Sequence, residues 1–326
     1  MVYINLPGCD NELLPFYLAA EEYVARQLKA NEYFFMWQVE PTVIFGRNQL
    51  IENEVNMDFC RARNIRTFRR KSGGGCVYAD KSNIMFSYIC GGEAVQFTFD
   101  RYLRLIAFLL QKLGLDAHAS SRNDILINGK KVSGNAFYHI PGRNIVHGTM
   151  LYDTNMENMV GSITPSDEKL VSKGVKSVRQ HITLLKDYIG EHMSIDEFKQ
   201  YIRENLCEEE QMLDSSAIDK IREIEEEYLT DEFIYGNNPR YSVLLNKHVD
   251  GCGHFDVRIE VKNGVIRQVN MMGDFFLVGD LDRGLLNRLR DIPYNEADVA
   301  KAIENCNTED YILNLNNNHF INLLFN

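Results

Sequence analysis

The chain has 326 residues, more than one typical domain, and its hydrophobic fraction of 45% is ample for a real core. A formal charge of −11 and a pI near 5.3 argue against general nucleic-acid binding, which needs a broad basic face. No apolar run reaches the roughly eighteen residues of a membrane span, and Met1–Pro7 shows no secretory leader. The seven scattered cysteines contain no C-x-x-C, so neither a disulfide framework nor a structural zinc site is expected, and a cytoplasmic protein is.

Between Pro15 and Ala30, Phe16, Ala19, Ala20, Tyr23, Val24 and Leu28 recur at three- and four-residue steps, with Glu21, Glu22 and Arg26 between them. That spacing predicts an amphipathic helix. Tyr33–Val39 is aromatic and strand-like, with Thr42–Phe45 as its partner and Gly46-Arg47-Asn48 as the closing turn.

Arg69-Arg70-Lys71-Ser72-Gly73-Gly74-Gly75-Cys76-Val77-Tyr78 then sets three basic side chains against three glycines. Glycine enters positive φ and lets a ligand approach the main chain. Successive exposed N–H groups suit anionic oxygens, and neighbouring Arg and Lys add charge-assisted hydrogen bonds. The same run also reads as an ordinary turn beside a solvated basic stretch. It is not a P-loop, because no Gly-Lys-Ser/Thr follows. A local basic cluster in an acidic chain fits a small anion.

Ile84–Ile89 reads as a strand, and Asp100–Leu113 as a helix closed by Gly114. Asp124–Ile127, the turn Asn128-Gly129 and the return Lys130–Ala136 form a hairpin. A second runs from Phe137–Ile140 through Pro141-Gly142 to Ile145–Tyr152. These elements predict an α+β fold: a mixed, mostly antiparallel sheet with packed helices. Ser194-Ile195-Asp196-Glu197 is a capping box opening a helix to about Leu206. A charged helix from about Ser216 to Tyr228 follows, its Glu223 and Glu225–Glu227 read as a solvated face. Asn237-Asn238-Pro239 breaks the pattern. Beyond it a hairpin, Phe255–Val261 with Val265–Met271, and helices Leu281–Arg290 and Glu296–Glu304 predict a small α/β domain. The expected division is 1–239 and 240–326.

Several stretches together resemble the lipoate–protein ligases. They are Arg70–Tyr78 with Asp80 and Asn83, Arg122-Asn123-Asp124, Lys131-Val132-Ser133-Gly134-Asn135-Ala136 and His147-Gly148-Thr149. Leu18–Tyr23, Pro41–Gln49, Lys169–Arg179 and Gly273-Asp274-Phe275-Phe276 add to the likeness, which covers nearly the whole chain. The resemblance implies the core shared by biotin and lipoate ligases and class II aminoacyl-tRNA synthetases, plus a C-terminal accessory domain. It implies activation of lipoate by ATP and Mg²⁺ to lipoyl-AMP, then transfer to a lysine of a carrier protein, an H protein or an E2 lipoyl domain.

By the same resemblance, Lys131 serves the lipoyl carbonyl and the α-phosphate. Arg70, Ser72, Gly73, Gly74, Gly75, Cys76, Val77 and Tyr78 serve the nucleotide, with Asn83 near the adenylate. Asn123, Gly134, His147 and Gly148 complete the binding set, although His147 also reads as a sheet-packing residue. Asp124 orients Lys131 or holds a metal through the phosphates; no dedicated metal ligand is assigned. Lys130, facing the other way, is the solvated neighbour. Many relatives carry His-Asp-x-Gly-Asn where Ala79-Asp80-Lys81-Ser82-Asn83 stands here, and Tyr235-Gly236-Asn237-Asn238-Pro239 replaces Gly-Lys-Ser-Pro. The altered loop looks like a branch serving H-type carriers, with Lys81 as a positive charge near the acceptor mouth. The rival is an ATP-independent octanoyl or lipoyl transferase on the same core, which needs a cysteine nucleophile; Cys76 is the candidate.

Overall fold

The computed structural model of the chain describes residues 1–49, 51–92, 95–120, 122–163, 181–235, 243–262 and 264–325. They fall into two compact units. One comprises Met1–Phe45, Ile51–Arg70 and Cys76–Ile234; the other comprises Gly46–Leu50, Lys71–Gly75 and Tyr235–Asn326.

The strands of the first unit are β1 (Val2–Asn5), β2 (Glu32–Trp37), β3 (Thr42–Phe45), β4 (Arg66–Arg69), β5 (Val77–Ala79), β6 (Ile84–Gly91), β7 (Ala117–Ala119), β8 (Asp124–Ile127), β9 (Lys130–Ile140), β10 (Arg143–Met150) and β11 (Glu209–Met212). Among the described residues they make a large sheet ordered β11-β1-β2-β6-β10-β9-β8-β7 and a small one ordered β4-β3-β5. From β2 to β7 the large sheet is antiparallel, whereas β1 lies parallel to both β2 and β11.

Alternation along β2 sorts its aromatics. Tyr33, Phe35 and Trp37 join the core built on helix Leu14–Gln27. Phe34 turns to the other face and meets Phe86 at 5.5 Å. Helix Val95–Lys112 covers that second face, with Tyr102 on Tyr88 and Phe99 on Phe137. β9 is one continuous strand shared by both predicted hairpins. Its first turn has φ of +49° at Asn128 and +75° at Gly129, the two positive values of a type I′ turn.

Two helix readings are corrected. Glu21 and Glu22, expected on the polar face of the first helix, are buried, because Leu14 to Ala25 pack on all sides of it. In helix Ser215–Tyr228, Glu225 is buried against Arg222 at 2.8 Å while Glu223, Glu226 and Glu227 are exposed. The capping box forms as expected: Glu197 N–H donates to Ser194 Oγ at 3.3 Å and Ser194 N–H to the Glu197 carboxylate at 2.7 Å.

The second unit carries an antiparallel sheet, β12 (Val243–Val249), β13 (Gly253–Lys262) and β14 (Val265–Asp274), in that order. The first strand and a closing helix, Asn317–Phe325, add to the expected hairpin and two helices. The first of those helices is shorter than expected: Leu281–Gly284 ends at Leu285, and a 3-10 turn, Leu286–Leu289, continues. The apolar sheet face and these helices enclose a core with Phe255, Val257, Leu285, Leu289 and Phe320. Lys169–Arg179 and Gly236–Pro239 lie outside the described residues. Among the described residues no helix is long and apolar enough to cross a membrane.

Candidate active site

The register between β8 and β9 decides where Lys131 points. Asp124 pairs with Gly134 and Ile125 with Ser133, but Leu126 then pairs with Lys131, leaving Val132 as an extra residue. In a regular strand residues 131 and 134 would face opposite ways. The bulge re-aims Lys131 onto the face of Asp124 and Gly134. Its Nζ lies 2.8 Å from Asp124 Oδ1, with the side chains 37% and 28% exposed, so the pair stays reachable from solvent. A Cβ on Gly134 would sit 2.8 Å from both Lys131 Cε and Nζ. The glycine is the slot in which the lysine lies. Lys130 is exposed on the other side of the strand, as its parity predicted.

Pairing across five strands extends this face. Trp37, Met85, Thr149, Gly134 and Asp124 form one continuous cross-strand row. Phe35, Ser87, His147 and Ala136 form the next. The second row is wired to the first helix. Trp37 Nε1–H donates to Ser87 Oγ at 2.8 Å, Ser87 Oγ–H donates to Glu21 Oε1 at 2.6 Å, and Glu21 Oε2 lies 2.9 Å from His147 Nδ1. Tyr138 lies beside His147; burial first, then Glu21 and Glu22, pushes its phenol well above the usual value.

Gly148 points to the opposite face from His147. There a Cβ would meet Asn135 Oδ1 at 1.8 Å. Asn135 Nδ2 donates to Asn123 O at 3.0 Å, and Asn123 Nδ2 returns a bond to Asn135 O at 2.9 Å. These three residues lock the start of β8, and with it Asp124.

Arg70, Val77 and Tyr78 gather around β3. Arg70 N–H donates to Phe45 O and its Nη1 to Ile44 O, both at 3.0 Å; Val77 pairs with Ile44 and Tyr78 with Val43. Burial raises the Tyr78 phenol, and Asn158 donates to its oxygen at 3.3 Å. Cys76, half-buried, precedes β5. Asn83 is fully buried just before β6. Its Nδ2 donates to Thr154 Oγ1 at 2.8 Å, while among the described residues Oδ1 has no hydrogen-bond partner. Ile84, the next residue, pairs with Met150, itself opposite Ser133, so Asn83 lies at the end of the sheet that carries Lys131. Lys81 does not project freely. Its Nζ donates to Asp10 O and Asn11 Oδ1, each at 2.9 Å.

The glycine run belongs to the second unit. Arg47 N–H donates to Ser72 O at 2.9 Å, and Gly74, at φ +84°, donates its N–H to Phe275 O at 2.8 Å. A Cβ on Gly73 would lie 2.2 Å from that same carbonyl, and one on Gly75 would lie 3.1 Å from the Asp274 carboxylate. Gly73 and Gly75 therefore have a packing reason to lack a side chain, and Gly74 a conformational one. Among the described residues no group of three or more His, Cys, Asp or Glu is placed to hold a metal ion.

The structure thus brings Lys131, Asp124, Gly134, His147 and Gly148 onto adjacent strands with Asn123 just before β8, and Val77 and Tyr78 onto a second sheet with Arg70 just after β4. Sequence reasoning missed Glu21, Ser87 and Trp37. The available signal was a pair of adjacent glutamates inside a helix apolar on every side.

Residues 15–207 match the family described as lipoyl protein ligase A/B catalytic domain, and residues 238–324 match the bacterial lipoate protein ligase C-terminus. Lipoate-protein ligase LplJ of Bacillus subtilis is 30% identical over 318 residues, spanning 94% of this chain and 96% of that protein. Lipoate–protein ligase 1 of Staphylococcus aureus is 32% identical over 294 residues, spanning 87% and 89%. Among solved structures, P. falciparum LipL1 in complex with lipoate gives a TM-score of 0.74 at 21% identity, over 99% of this chain and 97% of that one. A bipartite lipoate protein ligase from Thermoplasma acidophilum, described with its E2 lipoyl domain, gives 0.63 at 26% identity over 74% and 98%. A lipoate-protein ligase A bound with ATP gives 0.62 at 23% over 72% and 98%.

Proposed function

Because this chain belongs to the lipoate–protein ligase family, we propose that it activates lipoate with ATP and passes the lipoyl group to one lysine of a carrier protein. The observation that carries this reading is the partly exposed Lys131 amine held 2.8 Å from Asp124 in the Gly134 slot.

In the first step the lipoate carboxylate attacks the α-phosphorus of ATP, the bond to the β-phosphate oxygen breaks, and pyrophosphate leaves lipoyl-AMP. Two anions must approach, so positive charge is needed where negative charge builds. Lys131 is a compact point charge on a flexible stem and can exchange Asp124 for carboxylate and phosphate oxygens. Asp124 holds it in place beforehand. Arg70, fixed by carbonyls of β3, and the residues Cys76–Tyr78 would bound the adenylate, with Asn83 offering its buried Oδ1. Magnesium fits best as a companion of the nucleotide's own phosphates, since it commonly binds through phosphates with one or two carboxylates.

In the second step an unprotonated acceptor ε-amine attacks the acyl carbonyl, AMP departs with the electron pair of the broken C–O bond, and the amine's proton passes to solvent. No protein nucleophile is required; alignment and exclusion of water do the work. The bipartite ligase of Thermoplasma acidophilum is described with its E2 lipoyl domain, and an H protein or E2 lipoyl domain is the proposed acceptor. We assign activation to 1–239 and an accessory role to 240–326.

The test is pyrophosphate release that requires both lipoate and ATP, with lipoyl-AMP identified by mass spectrometry and then consumed by an apo carrier. Acyl movement between carriers without ATP would replace this reading with the transferase.

A further inference from the structure

We propose that β12 is a dimerisation edge: two copies of this chain pair their β12 strands antiparallel about a two-fold axis at Asn246, joining two three-stranded sheets into one of six strands. The inference concerns the second unit alone and does not rest on the proposed function.

The argument begins with how sheets end. An open edge presents unpaired N–H and C=O groups, and proteins blunt it with short strands, charges, proline, bulges or a covering segment. The large sheet follows that rule. It ends on β7, three residues long, and on β11, four residues that include Glu209 and Glu210. One edge of the small sheet is covered as well. Along β14, Ile266 N–H donates to Ile292 O at 2.9 Å, Asp291 N–H to Ile266 O at 2.8 Å, and Gly273 N–H to Asn48 O at 2.8 Å.

β12 is left open. It runs seven residues, Val-Leu-Leu-Asn-Lys-His-Val, with no proline, no glycine and no break in its register with β13. Among the described residues nothing pairs with its outer side. Its single formal charge, Lys247, is tied to the closing helix, Nζ donating to Asn322 O at 2.6 Å. Val243, Leu245 and Val249 lie half-buried at the rim of the core, and Leu244 on the other face is 43% exposed. Both faces of this edge therefore offer apolar surface to an added strand.

Register selects the occupant. Side chains alternate between the two faces of a strand, and opposite residues of an antiparallel pair share a face. A two-fold axis between identical strands must therefore pass through a residue position. An axis at Lys247 sets two ammonium groups against each other, which is repulsive. An axis at Leu245 takes His248 and Val249 beyond the end of the partner strand. At Asn246 all seven residues pair: Asn246 meets its own copy, Leu245 meets Lys247, Leu244 meets His248 and Val243 meets Val249. No like charges are opposed. The two carboxamides on the axis can each donate and accept. Each exposed Leu244 lands beside an imidazole whose ring centre lies 4.4 Å from that of His254. Pairing over about 24 Å supplies roughly six to eight hydrogen bonds between the chains. Self-complementarity of this kind is what a two-fold interface requires, and it favours a second copy over a foreign strand.

The test uses the full chain. Sedimentation equilibrium should show a reversible monomer–dimer equilibrium in the micromolar range. Asn246→Glu, at an exposed position on the axis, should weaken it several-fold because like charges then face each other, and less so in high salt. Asn246→Cys should cross-link to its own copy on mild oxidation, since opposite Cα atoms in a strand pair lie about 4.5–5.5 Å apart, within disulfide reach. Leu244→Cys and His248→Cys should each cross-link poorly alone and readily when mixed. Wild type, with its seven cysteines, sets the background, and peptide mapping identifies the joined residues. A monomer at every concentration up to millimolar overturns the proposal and leaves the edge to a strand of another protein. A dimer that Asn246→Glu leaves unchanged, with no cross-link at position 246, also overturns it, because that dimer forms through another surface. Should Asn246→Glu lose its fold by circular dichroism, the cysteine pairs decide alone.

Discussion

Lys131 Nζ and Asp124 Oδ1 stand 2.8 Å apart across β8 and β9, on a face that Lys131 reaches because Val132 is surplus to the register. A half-exposed ion pair adds little stability, typically below about 1 kcal/mol. What it supplies is a charged group held ready beside an open slot.

Lys131→Ala should abolish lipoyl-AMP formation, whereas Lys130→Ala should cost less than about tenfold, roughly 1.4 kcal/mol of barrier. Pyrophosphate release from folded protein is the measurement. Equal losses in the two variants would falsify the role given to Lys131.

Gly134→Ala tests the slot. The new Cβ would lie 2.8 Å from Lys131 Cε and Nζ, the far end of a flexible side chain, so the fold should tolerate it. Adenylation should fall about tenfold or more with little change in melting temperature. Full activity would mean that the lysine works from elsewhere.

Gly148→Ala should do the reverse. Its Cβ would strike Asn135 Oδ1 at 1.8 Å, and Asn135 is buried and bonded to Asn123. A loss of about 1–3 kcal/mol is expected by chemical denaturation, as for overpacking elsewhere. A stable variant with a large defect in lipoate binding would instead make Gly148 a ligand-facing residue.

The glycine run yields a prediction opposite to that of an open phosphate loop. Gly74 has φ +84° and donates to Phe275 O, and a Cβ on Gly73 would lie 2.2 Å from that oxygen. Gly73→Ala and Gly74→Ala should each lower thermal stability in the absence of nucleotide, with about 1–2 kcal/mol for the left-handed residue. Unchanged melting with lost ATP affinity would show that the loop is held open for the ligand.

Cys76→Ala should retain most ligation, since an adenylate mechanism forms no covalent enzyme intermediate. Intact mass spectrometry decides it. An acyl adduct on Cys76, with turnover independent of ATP, would favour the transferase.

Local order was readable wherever one residue type dictates backbone geometry. Asn128-Gly129 named its own turn, Ser194 and Glu197 their own cap, and the Lys-Val-Ser-Gly-Asn-Ala return its strand. Short strands such as Arg66–Arg69 and Glu209–Met212 were not, because four residues carry little periodicity and their partners are distant in the chain.

By itself, then, the sequence determined the α+β class, the hairpins, the helix cap and the family likeness, all of which depend on neighbours in the chain or on motif order. Tertiary structure alone decided that Lys131 shares a face with Asp124, that Glu21 is a buried hub rather than a solvated charge, and that the three glycines pack against Asp274 and Phe275. Those facts turn on a one-residue slip in register, on packing around the whole circumference of a helix, and on close approach between segments some two hundred residues apart. In each case the energy depends on atoms that local sequence does not bring together.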